Sequence, residues 1–254
     1  MDVIQGEKFL SVADNKKIFY CDTHDVNNFF KNNDFKDEFV LVSHNSDGKI
    51  NNYVDVFPHA NIKNIPPNLK RWFAQNVECI HDKIESIPIG LENSKWFPET
   101  RKIEKLLKIT DTDKEIKNLI YLNLNITNNP TERQPIYDMM KDKPYVTTEY
   151  GRNGLSFDNY LFNLYNHKFM ICPEGNGIDV HQPWESLYIN TIPIQKKNQN
   201  NSNWRELPIC WLDDWSQMED ENFLNSEYDR ITNNHYDKSK IYFSYWRDKI
   251  INSI

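Results

Sequence analysis

The stretch Phe169-Met-Ile-Cys-Pro-Glu-Gly-Asn-Gly-Ile-Asp-Val-His-Gln-Pro-Trp-Glu-Ser-Leu-Tyr-Ile-Asn-Thr-Ile-Pro-Ile194 reads as strand, glycine-containing loop, helix and strand. The run Lys168–Cys172 is short, apolar and bounded by a turn, as a buried strand should be. Pro183 has no N–H and is tolerated only in a first helical turn, so the helix must begin between about Asp179 and Gln182. Gly175 and Gly177 leave the loop before it able to approach a ligand closely. A helix opening after such a loop, at the carboxyl end of a parallel strand, is an anion site. Glu185 falls about one turn into that helix, poorly placed for a phosphate but well placed to accept from a sugar hydroxyl. The same spacing also suits an ordinary turn with Glu185 as a solvated first-turn acid. It is neither a GxGxxG nor a Walker loop.

Outward from this block the alternation continues. Strands are expected at Ile18–Cys21, Phe39–Ser43, Lys83–Ile89, Asn118–Leu124, Thr191–Ile194 and Pro208–Leu212. Helices are expected after Thr23 or Asp25, from about Asn68 (with Leu69, Trp72 and Phe73), from Pro130, from Ser156, and twice near the end. Thr131 and Gln134 stand at capping-box spacing. Strands alternating with helices predict an α/β protein with parallel, doubly wound sheets. Two Rossmann-like halves are expected, 1–100 and 101–254, dividing near residues 92–108. The aromatic-rich last helix is free to cross back over that boundary.

Composition narrows the function. With 7 Trp, 13 Tyr and 14 Phe the chain of 254 residues can build a large core, which excludes a disordered polymer. A net charge of −7 without any Lys/Arg block argues against general nucleic-acid binding, which needs a basic stripe. No apolar run reaches the ~18 residues of a membrane span, and the opening residues lack a signal-peptide layout. Cys21, Cys79, Cys172 and Cys210 are scattered, disfavouring zinc and a disulfide framework. A soluble, cytoplasmic protein is the expectation. The 33 Asn make chance Asn-x-Ser/Thr matches such as Asn125-Ile126-Thr127 and Asn200-Asn201-Ser202 uninformative.

The 169–193 block resembles the C-terminal signature of exostosin-like glycosyltransferases, through Phe169, Pro173, Gly175, Gly177, Asp179, His181, Trp184, Glu185, Leu187, Ile192 and Pro193. Leu207-Pro208, Asp213-Asp214-Trp215, Tyr245-Trp246, Ser43–Asp47, Trp72–Asn76 and Ile87–Gly90 are similar to further landmarks of that group. The resemblance implies a GT-B arrangement, in which two Rossmann-like halves face a cleft and the C-terminal half holds a sugar nucleotide. It also implies inversion at the anomeric carbon. On this reading Glu174, Gly175, Asn176, Gly177, Asp179, His181 and Glu185 bind the donor. The family's Arg after the His is Gln182 here, and Arg133, in the first turn of the helix from Pro130, is the candidate replacement.

The expected reaction moves a sugar from a nucleoside diphosphate to a hydroxyl of a glycan or glycoprotein acceptor, without metal or other cofactor. The acceptor must lose a proton and the leaving diphosphate must be stabilised. His44 and Asp47, at the end of the Phe39–Ser43 strand, are candidates for the base, although Asp47-Gly48 is also ordinary turn chemistry; Asp55 and His59 are further candidates. Asp111-Thr112-Asp113 matches a metal-binding DxD pattern but lies in a charged stretch with no strand before it, and reads as a solvated loop. Two other readings stay open: an inactive GT-B-like module that binds nucleotide sugar or glycan, and an unrelated doubly wound nucleotide-binding enzyme.

Overall fold

The computed structural model describes residues 2–14, 16–53, 57–96, 101–150 and 155–254. In chain order the first part contains α1 (Gly6–Phe9), β1 (Ile18–Asp22), α2 (Val26–Asn32), β2 (Phe39–His44), β3 (Ile50–Asn51), β4 (Ala60–Asn61), β5 (Leu69–Ala74) and β6 (Ile84–Ser86). After α3 (Arg101–Lys108) come β7 (Asn118–Leu124), α4 (Pro130–Met140), β8 (Val146–Tyr150), α5 (Phe157–Tyr165), β9 (His167–Ile171) and α6 (His181–Tyr188). Then follow β10 (Ile192–Lys196), β11 (Cys210–Leu212), α7 (Glu221–Thr232) and α8 (Phe243–Ile251).

The protein is α/β with parallel sheets. One sheet has the order β1-β2-β5-β6 and the other β11-β10-β9-β7-β8, and every pairing in both is parallel. A short parallel pair, β3-β4, stands apart. Parallel strands covered on both faces carry near-continuous apolar runs, and the period of two sends neighbours to opposite sides. Val40 and Val42 of β2 enter one core while Phe39 and Leu41 enter another. In β9, Met170 joins the first core while Phe169 and Ile171 face the third. The second sheet reverses direction between β7 and β9, since β8 lies on one side and β10 and β11 on the other. Open α/β sheets bind ligands at such a switch point, outside the carboxyl ends of the strands.

The largest core does not divide between the sheets. Val3, Ile4, Phe9, Val40, Val42 and Phe73 share it with Tyr121, Met170, Trp184, Trp204, Trp246 and Ile250. Helix α8 reaches the first part directly: Phe243 packs edge-on against Phe9, Val3 and Tyr242 form a β-bridge, and Lys249 pairs with Glu85.

Three local readings need correction. The segment from Asn68 is the strand β5, not a helix. Leu69, Trp72 and Phe73 have helical spacing, but Trp72 and Phe73 enter different cores on opposite faces, and pairing with β2 fixes them in the sheet. Asn129, not Thr131, caps α4, accepting from the Glu132 amide with Pro130 at the helix start. Strand β8 has no counterpart in the sequence reading, because at the sheet edge only Val146 of its five residues is buried. Among the described residues no helix is long and apolar enough to cross a membrane.

Candidate functional site

Helix α6 opens where the sequence requires, at His181, with Val180 as its uncapped N-cap and Pro183 in its first turn. Beside it, at the switch point, lies Arg133. The cap on Asn129 sets the first turn of α4 so that Arg133 points inward, 4% exposed. Its Nε donates to the Glu174 carbonyl at 2.7 Å, Nη1 to the Asn125 carbonyl at 3.0 Å and Nη2 to the Pro173 carbonyl at 3.4 Å. One guanidinium thus bridges the chain leaving β7 and the chain leaving β9. All three partners are neutral, and among the described residues no carboxylate forms an ion pair with it. Burial lowers its pKa from the ordinary value, but an arginine remains charged in a protein. The result is a positive centre at the crevice with no carboxylate in direct contact, although the charge of Glu132 one residue before it acts on it through space. Gly175 fits here because a Cβ would lie 3.0 Å from Arg133 Nη2.

Gly177 serves a different contact. A Cβ on it would lie 2.7 Å from Nδ2 of Asn76, a buried residue at φ 59° just beyond β5. Asn76 Oδ1 accepts from the Asp179 amide at 2.9 Å, and its Nδ2 donates to the Ser46 carbonyl. The space freed by the second glycine is therefore filled by the protein itself rather than kept for a ligand.

Asp179 is buried and fully subscribed. Its carboxylate accepts from the amides of Ile89 (2.8 Å) and Val180 (3.0 Å), and the Trp184 indole donates to both oxygens. Burial raises its pKa to about 6 despite these donors. His181 Nδ1 donates to the Gly90 carbonyl at 2.8 Å while Nε2 faces Glu92 Oε2 at 3.3 Å. Burial opposes its charge, but Glu92 and the Gly90 carbonyl outweigh that, and its pKa lies above the ordinary value. Both residues brace the start of α6 against the segment following β6.

The other expected donor-site residues lie nearby. Glu185 is buried, with Tyr160 Oη donating to Oε2 at 2.5 Å. Glu174 accepts from Asn198, and burial raises its pKa. Asn176 is exposed at the loop tip. Gln182, where the resembled family has arginine, donates its amide to the Asn123 carbonyl at 2.8 Å.

His44 and Asp47 line one cleft of about 250 Å³ together with Gly6, Asn45, Gln75, Glu92, Asn93, Trp96 and His181. It opens at the carboxyl ends of β2 and β5. His44 is 1% exposed. Its Nδ1 accepts from the Asn45 amide at 2.7 Å and Nε2 faces the Pro88 carbonyl at 3.1 Å, a pattern that puts the proton on Nε2. Burial lowers its pKa to about 4. With both nitrogens engaged, the ring has no lone pair for a substrate proton in this arrangement. Asp47 is exposed and has no partner among the described residues. His59 instead supports a turn, accepting from the Lys49 amide, and Asp55 lies outside the described residues. Asp111 ends a 3-10 turn, and the Thr112 carbonyl accepts from Tyr165.

Sequence reasoning gave no role to Glu92, Asn93 or Tyr160, and included Gln75 and Asn76 only within the Trp72–Asn76 landmark, without a role. Asn45 and Asn76 carry a usable signal, because asparagine is the residue after glycine most at ease at positive φ. Against 33 asparagines that signal does not stand out.

No protein-family model matches the chain, and no curated protein is significantly similar to it.

Proposed function

We propose that the protein is a glycosyltransferase of the exostosin-like, GT-B type, moving a sugar from a nucleoside diphosphate to a hydroxyl of a glycan or glycoprotein acceptor. One observation carries the reading: the buried guanidinium of Arg133, bonded to carbonyls alone among the described residues, at the switch point beside the start of α6. A diphosphate is an anionic group that such a centre attracts, the loop amides and the start of α6 sharing its charge. Micromolar binding needs about 8 kcal/mol, and charge-assisted hydrogen bonds contribute roughly 1.5–3 kcal/mol each. Arg133 with a few loop amides suffices, whatever the net charge of the chain. In this reading Glu185 accepts from ribose hydroxyls and Asp47 is the base. The acceptor oxygen bonds to the anomeric carbon as the bond to the donor phosphate breaks. The acceptor proton passes to Asp47, the diphosphate leaves toward Arg133, and the configuration inverts.

The test is a thermal-shift panel of UDP, GDP, CDP, ADP and dTDP, with and without Mg²⁺, on wild type, Arg133→Gln and Glu185→Ala. A nucleotide at 100 times its Kd adds about 2.7 kcal/mol. The reading expects one diphosphate to stabilise wild type without metal and to lose that effect in both variants; silence across the panel overturns it.

A second reading, a binding module without turnover, is favoured by Gln182, whose amide is committed to Asn123, and by the engaged ring of His44. It expects nucleotide binding but no diphosphate release when acceptors are supplied.

A further inference from the structure

Gln75 lines the cleft of His44 and Asp47 and is 1% exposed, yet its Oε1 has no hydrogen-bond partner among the described residues. Among the described residues its backbone alone is tied, the amide donating to the Ser43 carbonyl at the end of β2. A buried carboxamide oxygen left unpaired costs about 1–3 kcal/mol, so an atom of this kind, at the carboxyl ends of two parallel strands, marks where a ligand completes the bonding.

We infer that this cleft is a subsite for a single uncharged sugar ring, read by the Gln75 carboxamide. Three further observations set the ligand class. The volume, about 250 Å³, lies just below the ~300–1,000 Å³ of pockets for drug-sized molecules, which suits one ring rather than a chain. The lining acids are Asp47 and Glu92; of the two lining histidines, His181 is already held by Glu92 and His44 is kept neutral by burial, its pKa lowered to about 4. The lining is therefore net negative, and a cation outside it, Lys95, is held over the Trp96 ring at the rim, so the lining disfavours phosphorylated or carboxylated sugars. At the rim stands Trp96, 66% exposed, with Lys95 Nζ over one side of its ring, 5.3 Å from the centroid; the other side of the indole offers an apolar face to the C–H side of a sugar. A carboxamide both donates and accepts, as a hydroxyl does, so Gln75 matches a sugar diol without a change of charge.

That this sugar is the acceptor rests on the transferase reading; the binding itself does not. The test is ligand-observed NMR titration of the full chain, without nucleotide, against methyl glycosides of glucose, galactose, mannose and xylose. The corresponding uronic acids and 6-phosphates are run beside them. The inference expects at least one neutral glycoside to bind with a millimolar Kd and its acidic counterparts at least tenfold more weakly. Gln75→Leu should weaken the neutral ligand at least tenfold and leave nucleotide thermal shifts unchanged. Trp96→Ala, at an exposed position that folding does not depend on, should weaken it several-fold. Failure of every neutral glycoside to bind, equal binding of the acids, or undiminished binding by both variants overturns the inference. Saccharide binding with no response to any nucleotide upholds it and overturns the transferase reading instead.

Discussion

The Ile89 amide donates to the Asp179 carboxylate at 2.8 Å, joining the segment after β6 to the loop that starts α6 through one buried oxygen. The same carboxylate holds the Val180 amide and the Trp184 indole. Asp179→Ala leaves the buried Trp184 indole and two part-buried amides without an acceptor, at about 1–3 kcal/mol each where water cannot replace it. The expected loss is about 3 kcal/mol or more, read as a lower urea midpoint at unchanged m-value. A loss under 1 kcal/mol would show that water takes over the three donors.

Gly177→Ala pushes a methyl to 2.7 Å from Asn76 Nδ2. Asn76 is buried and bonded on both sides, so it cannot yield, and overpacking should cost about 1–3 kcal/mol. Asn76→Gly keeps the backbone at φ 59° comfortable and removes the obstacle. In a double-mutant cycle the pair should couple by at least about 1 kcal/mol; strict additivity would place the strain elsewhere.

His44 and Asp179 should bend the stability curve in opposite directions with pH. His44 has its pKa lowered to about 4 by burial, so as pH falls below 6.5 the unfolded chain takes up the proton first and stability is lost down to about pH 4. Asp179, raised to about 6 by burial, binds its proton more tightly when folded, so its contribution is lost as pH rises from 3.8 to 6. Each group contributes a slope of roughly 1 kcal/mol per pH unit. Relative to wild type, stability from pH 4 to 6 should slope downward in His44→Asn and upward in Asp179→Asn. Urea titrations at pH 4, 5 and 6 read the two differences, and slopes of the same sign refute the assignment.

Trp246 is fully buried, edge-on to Trp204 at 6.5 Å, and its indole donates to the Lys240 carbonyl at 2.9 Å. Trp246→Ala should cost about 3–5 kcal/mol. The loss should appear in one transition common to near- and far-UV circular dichroism, because the core around Trp246 belongs to both sheets. Two separated transitions would mean that the sheets melt independently.

The elements legible in the sequence were those whose burial is symmetrical. Strands β2, β7 and β9 announce themselves as apolar runs, and Pro183 pins the start of α6 to within two residues. Strand β5 was misread because Leu69, Trp72 and Phe73 satisfy a helical period, and only pairing with β2 decides between the two. Strand β8, with one buried residue, carries almost no pattern. At the site, the block 173–185 and Arg133 were visible as residue types. Their partners were not: the Ile89 amide, the Gly90 carbonyl and the carbonyls around Arg133 belong to the backbone and have no side-chain signature. Gln75 stood within the Trp72–Asn76 landmark but without a role for a related reason, since what sets it apart is that its Oε1 has no partner among the described residues.

The contact between Asp2 and Ser244, whose amide and hydroxyl donate to the Asp2 carboxylate, spans 242 positions. Together with the Phe9–Phe243 pair it closes the largest core with residues from opposite extremes of the sequence. During synthesis, then, the first sheet emerges long before the helix that covers it. Contacts of such separation fold slowly, because loop closure must precede their reward. Until α8 appears, the surface around Phe9 stays apolar and open, and chaperone capture of nascent chains should fall once the segment 243–251 has cleared the ribosome.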